Sequence, residues 1–88
     1  LLVGASCHSE KDLKVAEEKN ADFAVLGSVK KTLTHPDLEP MGWVRFNKLV
    51  NNSNLPIYSI GGMTNRDILS SLEYGGIGIA SQRAIWAK

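Results

Sequence analysis

Few of the residues that mark specialised classes of protein are present in this sequence. The single cysteine, Cys7, excludes a disulfide framework within the chain, and no uninterrupted apolar run approaches the ~20 residues that cross a bilayer. A formal net charge of +1 argues against a general binder of polyanions, so nucleic acid is not an expected partner. Only two histidines are present, and the aspartates lack the spacing of metal ligands. What remains is the composition of an ordinary soluble globular protein, for which we expect a cytoplasmic location.

The length of the chain limits the fold that it can form alone. A complete β/α barrel takes roughly 250 residues, so these 88 residues supply at most part of one. The chain starts with Leu1 rather than methionine, inside a predicted strand, and stops at Lys88 inside a predicted helix. We therefore expect residues 1–88 to be a single fragment, the C-terminal half of a larger phosphate-binding domain.

Four short apolar runs alternate with helical patterns along the chain. The strands are predicted at residues 1–5, 22–26, 55–60 and 77–80. Helices are predicted to begin at Ser9, at Gly42, at Thr64 and just after Ser81. The helical side chains expected to face the sheet are Leu13, Val15, Ala16, Trp43, Phe46, Leu49, Val50, Ile68, Leu69 and Leu72. Because parallel strands need crossover connections, this order predicts an α/β fold with a parallel sheet covered by helices.

Residues that can do chemistry follow the predicted strands. In a parallel β/α structure the carboxyl ends of the strands gather at one face, so Ser6, Cys7 and His8 should lie near the ends of the other strands. His8 is the one obvious acid–base candidate, since an imidazole can exchange a proton near neutral pH. A lone histidine is also commonly a structural hydrogen-bonding group. Cys7 should point to the opposite side and pack in the core.

Two strand ends rich in small residues predict a phosphate site. Gly61 and Gly62 let an anion approach the backbone, and free amides near Gln82 and Arg83 could add to the site. The Arg83 guanidinium could also bind a phosphate through two hydrogen bonds. The alternatives are an ordinary turn at the glycine pair and an arginine exposed to solvent. Two such strand ends in succession are typical of the last two units of a phosphate-binding β/α barrel.

The segment between the second strand and the second helix is longer than the usual ~2–6 residues. Its cations and hydroxyls could surround a pyrophosphate through charge-assisted hydrogen bonds. The residues concerned are Lys30, Lys31, Thr32, Thr34 and His35. A solvated basic loop is the alternative.

Four segments occur in an order and spacing that point to one family. They are GASCHS at residues 4–9, ADFAVLGS at 21–28, TLTHP at 32–36 and IGGMT at 60–64. Together they resemble the thiamine-phosphate synthase/TenI family. The resemblance implies a partial TIM (β/α) barrel in which this chain contains strands 5–8. Residues 39–43 and 82–86 are similar to the TenI-like domains that follow a Nudix hydrolase domain in some bacterial fusion proteins.

The resemblance implies an enzyme of thiamine biosynthesis. A synthase of this family joins hydroxymethylpyrimidine pyrophosphate to thiazole phosphate and releases pyrophosphate, with Mg²⁺ as cofactor. The residues implied to contact the pyrophosphate are Ser6, Thr32, Thr34 and His35. Those implied to hold the thiazole phosphate are Gly61, Gly62 and the backbone at Gln82 and Arg83. The magnesium-binding acids and the pyrimidine-binding residues belong to the first half of the barrel, so we expect the 88-residue chain alone to be inactive.

Two positions depart from the synthase pattern, and they leave alternatives open. Synthases usually carry lysine where His35 stands and a small serine where Arg83 stands, so Lys30 or Lys31 would have to supply the missing permanent charge. TenI-like members act instead as thiazole tautomerases, with a histidine at the position of His8 moving a proton. Further alternatives are a different phosphate-binding barrel and a non-catalytic phosphate-ligand-binding α/β module. The expected partners are small-molecule phosphates, and either the missing N-terminal half of the barrel or a second copy of the chain.

Overall fold

Strands and helices alternate along the chain in the computed structural model, which describes residues 2–30, 40–61 and 63–80, and the backbone of 85–87. The elements are β1 (Gly4–Cys7), α1 (Glu10–Glu18), β2 (Phe23–Leu26), α2 (Trp43–Asn51), β3 (Ile57–Ser59), α3 (Asp67–Glu73), β4 (Gly78–Ala80) and β5 (Ile85–Ala87). The sheet order is β1-β2-β3-β4-β5, and each of the first four strands runs parallel to its neighbour. Neighbours in sequence are neighbours in the sheet, as in a β/α barrel. The predicted α/β class and partial TIM (β/α) barrel are confirmed.

The first strand lies later in the sequence than predicted. It covers Gly4–Cys7 rather than residues 1–5, and it pairs in register from Gly4 opposite Phe23 to Cys7 opposite Leu26. Asp22 closes the amino end of this pair, because its carboxylate accepts a hydrogen bond from Val3 N at 2.7 Å and its own N–H donates to Val3 O at 2.7 Å. Ser6 and Cys7 are therefore part of β1 and do not follow it.

The helix predicted after Ser81 is not found among residues 85–87, which form β5. This strand runs antiparallel to β4, with Ile79 opposite Trp86. The outer edge of β4 would otherwise carry unpaired backbone groups, and isoleucine and tryptophan favour strands. Residues 85–87 consequently pair with β4 as a strand of the sheet.

The hydrophobic core lies between the sheet and the helices on one of its faces. Leu13 and Ala16 of α1 and Phe46 and Leu49 of α2 are buried there, as predicted. The core contains these four with Cys7, Ala24, Leu26, Val29 and Ile57. Trp43 and Val50 are half-buried against it and also confirm the predicted stripe of α2.

Two apolar side chains predicted to face the core are exposed instead. Val15 has 39% of its surface exposed and Leu69 has 64%. The buried residues of α3 are Asp67 and Ser71, one helical turn apart. The Ser71 hydroxyl donates to Gly78 O at 2.6 Å, and Asp67 accepts several hydrogen bonds, so these two polar residues orient the helix and turn Leu69 outward. The helix accordingly begins at Asp67 and not at Thr64.

The opposite face of the sheet carries no helix among the described residues. It presents Gly4, Ser6, Phe23, Val25 and Tyr58, which we call the open face. The Phe23 and Tyr58 rings meet edge to face with centroids 5.7 Å apart. The Phe23 ring also lies over Gly4, where a Cβ would come within 2.4 Å of it. In a closed β/α barrel this face of the strands is the interior.

Candidate active site

The loops that follow β1, β2 and β3 are joined by backbone hydrogen bonds at the carboxyl edge of the sheet. Gly27 N donates to Cys7 O at 3.2 Å, and Val29 N donates to Ile60 O at 2.9 Å. The parallel pairing thus continues past the ends of the strands. This brings three of the predicted site segments together, as the sequence predicted.

His8 is fixed to this edge by its ring and by its backbone. The Nδ1 atom lies 2.9 Å from Gly27 O, and His8 N donates to the Asp12 carboxylate at 2.9 Å. A carbonyl oxygen only accepts, so the contact assigns the proton to Nδ1. The neutral ring then has Nε2 as its proton-accepting atom, and the residue is exposed. The contact with Gly27 thus fixes the orientation of the ring.

Ser6 and Cys7 lie on opposite faces of β1 because side chains alternate along a strand. Cys7 is buried in the core at 1% exposure, as predicted, while Ser6 is exposed on the open face. Burial raises the pKa of the Cys7 thiol, and the nearby Asp12 carboxylate raises it further. Cys7 is therefore a packing residue rather than a nucleophile.

Gly61 is required by its conformation and by a close contact between loops. Its φ angle is +107°, and a Cβ there would lie 2.7 Å from Ser28 Cβ and 2.8 Å from Ser28 Cα. The sequence predicted a glycine that gives an anion access to the backbone. The structure adds that any side chain at this position would push apart the loops after β2 and β3.

An ion pair joins the loop after β2 to the first residue of α3, which in turn is hydrogen-bonded to the loop after β3. Lys30 Nζ lies 3.3 Å from both carboxylate oxygens of Asp67, and the Thr64 amide donates to Asp67 Oδ2 at 2.8 Å. The Thr64 hydroxyl contacts the same oxygen at 3.2 Å. Burial by itself would raise the pKa of Asp67, but the hydrogen bonds from Thr64 and Lys30 outweigh it and hold the pKa below its ordinary value. Asp67 is ionised at neutral pH.

Sequence reasoning missed the role of Asp67. It predicted only that a helix begins at Thr64, whereas the Asp67 carboxylate accepts hydrogen bonds from both the amide and the hydroxyl of Thr64. The spacing Thr-x-x-Asp, in which an acid reaches back to a backbone amide three residues earlier, was the available signal. The cation that completes the pair comes from another loop, and no local pattern indicates it.

The long segment that follows β2 begins and ends at the carboxyl edge of the sheet. Met41 N donates to Ser28 O at 2.7 Å, and Gly42 N donates to Val29 O at 2.9 Å. These two hydrogen bonds join the first and last residues of the segment to each other, next to Gly61. Several predicted site residues lie outside the described residues, namely Thr32, Thr34, His35, Gly62, Gln82 and Arg83.

The profile of one protein family covers nearly the whole chain. The family described as thiamine monophosphate synthase matches residues 1–85. The chain belongs to this family. The resemblance to the thiamine-phosphate synthase/TenI family that the four sequence segments indicated is confirmed.

Individual members of the thiamine monophosphate synthase family agree with the assignment. A protein of Aquifex aeolicus named putative thiamine-phosphate synthase 2 is 37% identical over 79 residues, which are 90% of this chain and 42% of that protein. A thiamine-phosphate synthase of Methanococcus vannielii is 36% identical over 97% of this chain and 41% of its own length. The solved thiamine phosphate pyrophosphorylase of Pyrococcus furiosus superposes with a TM-score of 0.76 at 33% identity, over 92% of this chain and 38% of that one. The chain thus spans about two-fifths of the length of these relatives.

The acidic side chains in the described part of this family member are dispersed. Within residues 2–30, 40–61 and 63–80, no group of three histidine, cysteine or acidic residues could hold a metal ion. Asp12, Asp22 and Asp67 each accept hydrogen bonds in a different place, from His8 N, Val3 N and Thr64 N. Over the same residues, no helix has the length and apolar character needed to cross a membrane.

Proposed function

We propose that this chain is part of a thiamine-phosphate synthase that joins hydroxymethylpyrimidine pyrophosphate to thiazole phosphate in thiamine biosynthesis. The observation that carries the proposal is the junction of three strand-end loops at one edge of the sheet. It places His8 beside Gly27 and Gly61 beside Ser28, at the base of the segment that contains residues 31–39. A relative that matches 97% of this chain is named thiamine-phosphate synthase, and the solved structure that shares this part of the fold is named thiamine phosphate pyrophosphorylase.

In this proposal two anions bind at the carboxyl edge of the sheet. The thiazole phosphate lies against the backbone of Gly61 and Gly62, which follow β3, and against Gln82 and Arg83, which follow β4 in the sequence. The diphosphate lies against Ser6 and the hydroxyl and imidazole groups of Thr32, Thr34 and His35. The bond between diphosphate and the pyrimidinyl-methyl carbon breaks, and the thiazole nitrogen forms the new bond to that carbon. The chain's own task is to stabilise the departing charge and to orient the nitrogen.

The proposed activity needs more than the 88 residues. The resemblance assigns the pyrimidine-binding residues and the magnesium-binding acids to the part of the barrel that this chain lacks. The open face of the sheet, with Phe23, Val25 and Tyr58, would be covered by that part or by a second copy of the chain. We expect the complete enzyme to be cytoplasmic.

A second candidate is a thiazole tautomerase, and the orientation of His8 favours it. The Nδ1 contact with Gly27 O leaves Nε2 to take a proton from one position of the bound thiazole and return it to another. The phosphate would be anchored as in the synthase. No diphosphate is required for this reaction.

The activity of the full-length natural protein tests both candidates. Under the synthase proposal, thiamine phosphate forms from the two substrates with Mg²⁺, and His8→Ala changes kcat by less than about threefold because no proton transfer at His8 limits the rate. Under the tautomerase proposal, His8→Ala lowers the isomerisation rate by about 10²–10⁴-fold, the usual contribution of a general base. Thiamine phosphate is measured by thiochrome fluorescence and isomerisation by ¹H NMR.

Calorimetry with thiazole phosphate separates these enzymes from the remaining alternatives. Binding without turnover in either assay would contradict both enzyme proposals and indicate a binding module. Absence of binding would favour a barrel for a different phosphate. For the turnover assays, Ser9→Ala is the matched control for His8→Ala. Ser9 is the neighbour of His8 and caps α1 by accepting a hydrogen bond from the Asp12 amide, but it offers no group for proton transfer.

A further inference from the structure

The Lys30–Asp67 pair is the charged contact that connects the two loops of the proposed site. Lys30 is the last described residue before the segment 31–39, to which the proposed function assigns the diphosphate. Asp67 follows Gly61, to which it assigns the thiazole phosphate, and is bound to Thr64 in the same loop. Lys30 is thus next in sequence to the segment assigned to the diphosphate, and Asp67 lies six residues after the glycine assigned to the thiazole phosphate.

The two members of the pair differ in exposure. Asp67 is buried, whereas 45% of the Lys30 side chain is exposed. The Lys30 ammonium group has three donor hydrogens. Its contacts with the two Asp67 carboxylate oxygens, both at 3.3 Å, use at most two of them. The group thus keeps a solvent-facing side with which it can contact a ligand.

Keeping an ionised carboxylate in a buried position costs free energy that a neutral side chain would avoid. The Thr64 bonds and the Lys30 contact compensate that cost only while all partners stay in place. An arrangement of this kind holds a flexible lysine in one orientation, which lowers the entropy lost when an anion binds. Orienting the Lys30 ammonium group therefore accounts for a charged carboxylate at the buried position 67.

We propose that Lys30 is a diphosphate-binding residue of the site and that Asp67 is the positioning residue that holds its ammonium group. This inference rests on the proposed function and deepens it, because it names a permanent cation for the departing diphosphate where His35 offers only a titratable one. Lys30 donates to a diphosphate oxygen, and Asp67 contacts no substrate.

Binding of inorganic pyrophosphate to the full-length natural protein, measured by calorimetry, tests the inference. We expect Lys30→Met to raise the dissociation constant about tenfold or more, since a charge-assisted hydrogen bond is lost. Lys30→Arg should bind within about threefold of the unmodified protein, because the charge is kept. Lys14→Met is the matched control, since Lys14 pairs with Glu10 at 3.6 Å on the exposed side of α1, and it should not change binding.

The role of Asp67 is tested by its coupling to Lys30. Asp67→Asn should weaken pyrophosphate binding several-fold when Lys30 is present and change nothing further in the Lys30→Met background. A merely structural aspartate would weaken binding equally in both backgrounds, and that result would overturn the positioning role. Unchanged binding in Lys30→Met, or no pyrophosphate binding by the unmodified protein, would overturn the role of Lys30.

A measurement without substitutions covers the case in which the variants do not fold. Pyrophosphate should slow the reductive methylation of Lys30 several-fold, as read by mass spectrometry, and leave Lys14 unaffected. Equal reactivity of Lys30 with and without pyrophosphate would contradict the inference. Failure of the proposed function gives a different result. In that case no thiamine phosphate forms from the two substrates, whether or not pyrophosphate protects Lys30.

Discussion

Single residues decide how closely the loops of the site approach one another. Gly61 and Gly42 both have positive φ angles, +107° and +80°. A Cβ at Gly61 would meet Ser28 within 3 Å, whereas nothing lies within 4 Å of a Cβ at Gly42. A residue with a Cβ would be strained at either position, whereas the space around the two positions differs, so the two glycines form a matched pair.

We predict that Gly61→Ala destabilises the full-length protein more than Gly42→Ala does. The strain of a positive φ costs each variant about 1–2 kcal/mol. The contact with Ser28 adds about 1–3 kcal/mol at position 61, because backbone and not only a flexible side chain must move. Urea denaturation gives the free energy of unfolding of both variants. Equal losses would mean that the loops are not in contact at Gly61.

The buried thiol of Cys7 gives a second prediction for a single residue. Because burial raises its pKa and leaves it 1% exposed, the folded protein should react slowly with a thiol reagent such as DTNB and rapidly after unfolding in urea. We expect Cys7→Ser to cost about 1–3 kcal/mol, since the hydroxyl replaces a weakly polar group in the core. Rapid labelling of the native protein would contradict the packing of β1 against α1.

At the scale of elements, the start of α3 is tied to the loop after β2 by charge. The folded pKa of Asp67 lies below its ordinary value, so the carboxylate contributes stability at pH values above the unfolded pKa, about 3.9. This contribution is lost as the pH falls through the folded pKa. The site therefore depends on a group that acid protonates.

We predict that Asp67→Asn removes part of the acid sensitivity of the protein. At pH 7 the variant should be about 1–3 kcal/mol less stable, because hydrogen bonds to a charged group are weakened. As the pH falls through the folded pKa of Asp67, the difference from the unmodified protein should shrink, since the native carboxylate then becomes neutral too. Urea denaturation between pH 7 and pH 2.5 measures both effects. Glu10→Gln, at the exposed pair with Lys14, is the control and should show almost no pH-dependent difference.

The order of the elements from β1 to β4 followed from the sequence, whereas the strand β5 and the orientation of α3 did not. Alternation of apolar runs and helical patterns was enough to predict the parallel sheet, and the spacing of Leu13, Ala16, Phe46 and Leu49 was enough for α1 and α2. In α3 the spacing of apolar residues was misleading, because two polar residues are buried by hydrogen bonds to other parts of the chain. Contacts between distant segments, such as Lys30 with Asp67 and His8 with Gly27, leave no periodic signal.

For the whole molecule, the open face and the free edge of β1 are surfaces that a complete barrel covers. Among the described residues β1 pairs only with β2, so its other edge has unpaired N–H and C=O groups. The open face adds the rings of Phe23 and Tyr58. Relatives are more than twice as long as the chain, so they have ample sequence to cover both surfaces.

We predict that residues 1–88 produced alone associate with one another or bind the remainder of the barrel when it is supplied as a separate chain. Sedimentation velocity should detect species larger than 9.6 kDa. The double variant Phe23→Lys with Tyr58→Lys should reduce this association, because charges on the open face repel across an apolar contact. Val44→Lys is the control, since Val44 is 69% exposed on α2 and away from that face, and it should leave the association unchanged. A monodisperse, well-folded monomer of the unmodified chain would mean that the open face is stable in water, and the proposed need for the rest of the barrel would then lose its physical basis.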